Sequence, residues 1–424
     1  MTEDVVRTDA ASVKPVPSGP VTSGERIVSM DVLRGFAILG ILVMNVQSFS
    51  MIEAAYLNPT AYGDLSGVNR LVWTLSHLFA DQKFISIFSM LFGAGIVLFA
   101  TRLKTRGVRP GPVHYRRTFW LLFIGLAHGF LLWYGDILAI YALMSFIVYL
   151  FWRRSPTALL ITGLIVVSVS SGLYWLSGTT ITLAPPQALE GVSAFWSPSQ
   201  EAIAADMAAM GGSWTEQMAV RVPGMAASLT VVLGMFYAWR TGGLMLVGMA
   251  LYKWGVLSAE RSRRFYTTVA AAGFVIGLPV IYQGVVRRFA DGWSVPYSFF
   301  HGWQYNYWGS LFVAMAYVAV VMLLVRSGRL ARLRLALAAA GRMAFTNYLM
   351  QTVICTTIFY GHGLGLYGQV DRVYQALIVL AIWALQLWFS SWWLERFRFG
   401  PAEWLWRTLT YAKAQPMRLR SPAS

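Results

Sequence analysis

The sequence predicts an all-α fold, a polytopic integral membrane helical bundle of about ten transmembrane helices, with eleven allowed and both termini cytoplasmic. Three observations lead there. Of the 424 residues, 57% are hydrophobic and only 12% are charged, about half the charged share of an average soluble protein. Apolar runs long enough to cross a bilayer, about 20 residues each, recur along the chain. Lys and Arg collect between those runs, as they do in cytoplasmic loops. Such a composition excludes a typical cytosolic enzyme, a disordered chain and a disulfide scaffold, and with a single cysteine, Cys355, no internal disulfide can form. The net charge of +16 is read against the membrane, and no nucleic acid is expected as a partner.

Residues 1–25 are polar, carry Pro, Ser and Thr, and predict a disordered cytoplasmic tail without a signal peptide. A single transmembrane domain is expected over 26–400, with spans near 28–50, 82–101, 118–134, 137–152, 157–177, 240–257, 265–285, 304–326, 337–359 and 372–394. Gly135-Asp136 separates the third and fourth spans, which reads as a tight helical hairpin. Segment 217–239 is apolar but carries Arg221 and Pro223, so it fits either an interfacial helix or an eleventh crossing. Orientation follows from the basic loops. Residues 102–117 hold six Lys or Arg and no acid, whereas 155–220 hold no Lys or Arg but do hold Glu190, Glu201, Asp206 and Glu216. A translocated outer loop is therefore expected at about 178–216. Residues 401–424 mix Trp with basic residues, which suits an interfacial helix and a basic cytoplasmic tail.

Ionisable and amide side chains inside spans are costly unless paired or hydrated, so each marks a candidate site. Asp31, Arg34 and Asn45 fall on one stripe of the first span, since 11 residues rotate about 20° net and 14 about 40°. Asp31 and Arg34 read equally as a structural pair. His77 and Asp81 are i,i+4 and share a face, either as an acid–base pair or as a helix start. His128 lies deep in the third span between glycines, with Asp136 at the hairpin turn as an orienting carboxylate or a simple cap. Asn347 and Gln351, also i,i+4, can bind a polar ligand or join helices. Arg240 can snorkel or hold an anion. His114, His301 and His362 fall in expected loops and read as solvated. Five scattered histidines and one cysteine offer no metal ligand set, so no metal is expected.

Several blocks resemble a known family. They are Ser29-Met30-Asp31-Val32-Leu33-Arg34-Gly35 running on through Asn45, Lys83-Phe84 through Gly95, His128-Gly129 with Tyr134-Gly135-Asp136, Gly341-Arg342-Met343-Ala344 with Thr346-Asn347-Tyr348, and the tail from Gly400-Pro401 to Trp406-Arg407. Together they resemble the YeiB-like bacterial membrane proteins, a domain of unknown function, which are similar to a wider superfamily of transmembrane acyltransferases. The resemblance implies transfer of an acyl group from cytoplasmic acyl-CoA, acetyl-CoA first among them, to an extracytoplasmic glycan or small polar acceptor. It implies a multi-pass protein of the bacterial inner membrane, partnered by the lipid bilayer and open to homodimer formation. In the sugar O-acyltransferases the Arg of the first span is followed by a catalytic His, where this chain has Asn45. In the heparan-type enzyme the His comes eleven residues later, where this chain has Tyr56. The base is then expected at His128 or His77, oriented by Asp136 or Asp81. Arg34 and the inner basic residues would hold the CoA phosphates, and Asn45, with Asn347 or Gln351, would donate to the thioester oxygen. The same buried groups also fit a secondary transporter or ion-coupled permease.

Overall fold

The computed structural model describes residues 27–419, and the expected N-terminal tail lies outside them. Among the described residues the chain is helical, and strand pairing is confined to one isolated bridge between Phe397 and Arg418. Among the described residues, seven helical stretches are long and apolar enough to cross a membrane: Val28–Ser50, Gly67–Thr105, Pro156–Leu183, Met218–Lys253, Arg263–Ala290, Val295–Ser327 and Arg372–Leu394.

Helix α1 (Val28–Ser50) lies near the centre of the bundle, and most of its side chains are buried. Its apolar residues run all the way round, as a helix packed on every side requires. A short α2 (Glu53–Leu57) follows it, then α3 (Gly67–Phe79) and α4 (Lys83–Thr105). The turn between α3 and α4 carries Gln82 at φ 64°, and Lys83 at the start of α4 is buried. Helix α5 (Pro110–Leu131) and the shorter α6 (Leu138–Val148) form the expected hairpin around Gly135-Asp136. His114 departs from its expected place in a solvated loop, because α5 begins at Pro110 and buries it.

Helix α7 (Pro156–Thr180) leads into α8 (Pro186–Trp196) and α9 (Gln200–Gly211). The segment expected as an outer loop is therefore largely helical. It packs as a cap over the C-terminal end of α1, where Asn58 Nδ2 donates to Trp196 O at 3.1 Å, Trp196 Nε1 to Trp293 O at 2.7 Å and Gly361 N to Met210 O at 3.0 Å. Helix α10 (Met218–Ala227) runs through a π-helical stretch, Ser228–Tyr237, directly into α11 (Ala238–Lys253). No turn interrupts 218–253, which forms one continuous candidate span. Helices α12 (Arg263–Ala290) and α13 (Trp303–Ser327) pair along their lengths.

The run expected as one span at 337–359 is broken at Met343 into α14 (Ala331–Arg342) and α15 (Ala344–Phe359). The break exposes the backbone N–H groups of a helix start inside the protein, and those groups need acceptors. Glu403 of α17 (Pro401–Tyr411), which follows α16 (Arg372–Leu394), supplies them. Its Oε1 accepts from Phe345 N at 2.7 Å and Thr346 N at 3.1 Å, and its Oε2 from Thr346 Oγ1 at 2.6 Å. A carboxylate here also faces the positive end of the α15 dipole. The expected interfacial tail helix is thus docked by a buried acid.

Helix α14 crosses α1 at backbone contact. A Cβ on Gly35 would clash with the Leu337 carbonyl, and one on Gly341 with the Asp31 carbonyl. Small residues at such a crossing let two helices pack closely where apolar burial gives no advantage over lipid. Gly341→Ala is expected to cost about 1–3 kcal/mol through overpacking and to lower the thermal unfolding midpoint in detergent. Gly172→Ala, on an open face of α7, should leave that midpoint unchanged or raise it slightly.

Candidate active site

The hairpin between α5 and α6 builds the most enclosed polar cluster around the predicted pair. Gly125 lets the start of α6 press against α5, since a Cβ there would strike Ala139. That approach brings Asp136 under His128, with Nδ1 and Oδ1 2.7 Å apart. Both residues are buried, at 3% and 2% exposure. The second oxygen, Oδ2, accepts from Ala139 N at 2.8 Å, so Asp136 caps α6 and orients His128 at once. A ring nitrogen facing a carboxylate carries the proton, which leaves Nε2 as the basic atom. Nε2 lies 3.0 Å from Thr352 Oγ1 on α15, a hydroxyl that can donate to it. Tyr348, one turn earlier on α15, places its ring centroid 5.2 Å from that of His128 and its hydroxyl 3.5 Å from Asp136 Oδ1.

A cavity of about 300 Å³ leads toward this cluster, at the lower end of the range for small-molecule sites. On α1 its wall runs from Ile27 to Ile41, about 21 Å of helix. Arg34, Arg102, Arg117, Arg342, Arg398 and Arg407 line its outer part together with Asp31 and Glu403. Arg34 pairs with Asp31 at 2.9 Å, and Arg117 lies over the Trp406 ring at 4.3 Å. Farther in, the lining turns apolar with Ile38, Ile41, Leu91 and Leu121, and Ile137, Leu138, Tyr141 and Tyr348 also face the cavity. Tyr348 and Ile137 therefore stand between the cavity and the Asp136–His128 pair. His114 lines the same cavity with Thr118 and Ser145, its Nε2 3.4 Å from each hydroxyl and 3.3 Å from Ser145 O.

The other predicted pair forms a separate network. His77 Nδ1 lies 3.0 Å from Asp81 Oδ2, and Trp73 stacks on the imidazole at 5.2 Å. Asn306 Nδ2 donates to Asp81 Oδ2 at 2.7 Å, while Lys83 Nζ donates to Asn306 Oδ1 at 2.7 Å and to His77 O at 2.6 Å. Arg240 does not snorkel. It is buried, with Tyr307 O at 2.9 Å, Ser310 Oγ at 2.7 Å and Ser86 Oγ at 3.1 Å as acceptors.

Three amides predicted to bind substrate are placed otherwise. Asn347 Nδ2 donates to Ala340 O and Ser390 Oγ, both at 3.0 Å, and Gln351 Nε2 to Ile38 O at 3.2 Å and Gln386 Oε1 at 2.9 Å. These bonds join α15 to α14, α16 and α1, and neither residue lines the cavity. Asn45 is half-buried near the C-terminal end of α1 (Val28–Ser50), and also lies off the cavity wall. Sequence reasoning missed Lys83, Thr352, Tyr348 and Glu403 as partners. Lys83 was signalled by its place near Asp81 at a helix start, and Tyr348 and Thr352 by each lying one residue beyond Asn347 and Gln351, respectively, on the same helix. Nothing local marked Glu403.

Residues 251–413 match the family model for a protein of unknown function, DUF418. Uncharacterized protein YeiB of Escherichia coli (strain K12) is 34% identical over 394 residues, covering 92% of this chain and 98% of its own length. The chain belongs to the YeiB-like DUF418 family. Uncharacterized protein YxaH of Bacillus subtilis (strain 168) is likewise 34% identical, over 424 residues and 94% of this chain. An uncharacterized 39.9 kDa protein of Bacillus acidopullulyticus, in the amylase 3' region, is 26% identical over 95% of the chain. These relatives extend the similarity across nearly the whole chain.

If Asn347 and Gln351 serve as helix joints, Asn347→Leu and Gln351→Leu should each lower stability by about 1 kcal/mol. Unfolding followed by thermal shift checks this, and ligand affinity at the cavity should stay within twofold of the parent.

Proposed function

We propose that this protein is a transmembrane acyltransferase that takes an acyl group from cytoplasmic acyl-CoA and passes it to a polar acceptor on the other side of the membrane. The observation that carries the reading is the cavity, which is basic at one end, apolar along its length and closed by Tyr348 against the Asp136–His128 pair. A nucleotide thioester has the same polarity, with phosphates at one end and a thin apolar arm at the other. Arginine is suited to the phosphates because its fork presents paired donors. The positive-inside rule puts this basic end, and with it both termini, in the cytoplasm of a bacterial inner membrane.

In this mechanism the acceptor hydroxyl or amine loses its proton to His128 Nε2, with the Thr352 hydroxyl as the relay that already occupies that nitrogen. The acceptor atom attacks the thioester carbonyl, the C–S bond breaks, and the departing thiolate takes the proton back from His128. Asp136 holds the Nδ1–H tautomer and stabilises the imidazolium that forms between these events. The Tyr348 hydroxyl, on the cavity wall, is the donor nearest the growing oxyanion. His77 and Asp81, in their separate network, take no part in this step.

A second reading rests on that network. Lys83, Asp81 and His77 form a buried ionisable set of the kind that couples ion movement to transport. Solute uptake into proteoliposomes without release of CoA would favour it.

Calorimetry with acetyl-CoA on the detergent-solubilised protein is the test. Binding is expected in the micromolar range, weakened at least tenfold in Arg34→Ala, about 1.4 kcal/mol. In His128→Ala, binding should persist while CoA release with acceptor falls at least a hundredfold, the loss of a positioned general base. Undiminished release in that variant would remove His128 from the reaction, and absence of binding by any acyl-CoA would remove the reading itself.

A further inference from the structure

Three helices leave a second cavity, of about 430 Å³, beside the C-terminal half of α1, within the size range of small-molecule sites. Each helix gives it one face at i,i+3,i+4 spacing. Val43, Val46 and Gln47 come from α1, Val72 and Leu75 with Ser76 from α3, and a stripe between Arg372 and Trp383 from α16. Two hydrogen bonds set α16 antiparallel to α1. Gly368 N, just before α16, donates to Ser50 O at 2.8 Å, and Trp383 Nε1 donates to Leu39 O at 2.8 Å. Gln47 lies eight residues after Leu39, and Gln375 eight before Trp383. Both amides therefore stand about 12 Å along the helices from the Trp383 contact.

Arg372, Gln375 and Gln47 gather at one end of this cavity, and apolar side chains follow toward Trp383, with Ser76 adding a half-buried hydroxyl to the α3 wall. Gln47 is 4% exposed, yet among the described residues its side chain makes no hydrogen bond, and its Oε1 is closed off without a partner. A half-turn about its last torsion exchanges nitrogen and oxygen, so the amide can turn a donor or an acceptor into the cavity. Gln375 uses Nε2 on Val370 O at 2.8 Å and leaves Oε1 unpartnered. In a bilayer no water makes up for such bonds. Arg372 closes this end, with its terminal nitrogens on Asp64 O at 2.7 Å and on Pro59 O and Tyr62 O, both at 3.2 Å. Its fork is thereby taken, and among the described residues no acid lines the cavity. The polar end thus offers amide rather than free charge. Leu75 and Leu380, on the walls, are 45% and 55% exposed, an apolar entrance that a hydrocarbon chain can cross.

We propose that this cavity binds a membrane lipid with an uncharged, hydroxyl-bearing head, its hydroxyl on the Gln47 amide and its chain along Val379, Leu380 and Trp383. A hydroxyl donates and accepts at one atom, which matches an amide that has no partner at either of its own. The chain meets the apolar wall without any polar demand, and its remainder stays in the bilayer. A charged head finds no free counterion there. The site lies on the half of α1 away from the arginine-lined cavity, so it stands independently of the chemistry assigned to His128.

The test is native mass spectrometry of the intact protein in lauryldimethylamine oxide, a detergent without hydroxyls, titrated with monoolein. Methyl oleate, which has the chain but no hydroxyl, is the control, and lysophosphatidic acid is the anionic comparison. Monoolein should bind saturably and about tenfold tighter than methyl oleate, about 1.4 kcal/mol. Gln47→Leu should bring monoolein down to the affinity of methyl oleate. That variant should keep or raise the parent unfolding midpoint, since the amide it removes has no hydrogen bond to lose. Ala376→Phe, which fills the cavity from α16, should abolish binding of both oleoyl compounds. Equal binding of monoolein and methyl oleate would overturn the proposal, as would monoolein binding that neither variant weakens. Tighter binding of lysophosphatidic acid than of monoolein would also overturn it, making Arg372 the group that recognises the head.

Discussion

One carboxylate, Asp136, governs the interior of this bundle. Its two oxygens serve separate neighbours, with His128 on α5 at 2.7 Å and the backbone of Ala139 at the head of α6 at 2.8 Å. The Tyr348 hydroxyl on α15 reaches it as well. In a bilayer no water is at hand to satisfy an isolated acid. The hairpin, the imidazole tautomer and the packing of α15 consequently have to be solved together, and the glycine at 125 is what allows α6 to come close enough. Removing the carboxylate would disturb three helices, whereas removing the imidazole leaves the cap on α6 intact.

Helix α1 acts as the axis along which chemistry is divided. Its N-terminal half faces the arginine-lined cavity, and its flank receives the Gln351 amide through Ile38 O. Positive charge is thereby gathered along the cavity beside the N-terminal half of α1, and the His128 pair lies behind it, next to Tyr348 on the cavity wall. An enzyme working across a membrane needs such an order: an anionic donor on one side, an acceptor on the other, and a proton-handling group where the two approach.

Much of the fold was legible because apolar run length and basic loops report directly on burial in lipid. The pairs His77–Asp81 and Asp31–Arg34 could be read from helical spacing, and the hairpin at Gly135-Asp136, which sets Asp136 beside His128, from two short apolar runs meeting at a turn. Other features depend on contacts between distant segments. The break at Met343 looks apolar in sequence, and only Glu403, far along the chain, makes the interrupted backbone tolerable. Segment 217–239 carries a proline and an arginine that set it apart from the span after it as an interfacial helix or a further crossing, yet the helix passes through a π-helical stretch and continues into that span. His114 read as solvated because charged residues surround it in sequence, although the helix begins early enough to bury it. The amides at Asn347 and Gln351 had two readings at equal spacing, and their hydrogen bonds to other helices favour the joint over the ligand site.

The central claim is that the arginine-lined cavity admits an acyl chain as far as the His128 pair. Photo-crosslinking with an acyl-CoA that carries a diazirine at the end of a short acyl chain, followed by peptide mass spectrometry, tests it most directly. The account predicts labels on the hairpin turn and α15, at Ile137, Leu138 or Tyr348, which excess unlabelled acetyl-CoA suppresses. Labels confined to lipid-facing residues such as Phe123 and Leu377, insensitive to that competitor, would contradict it.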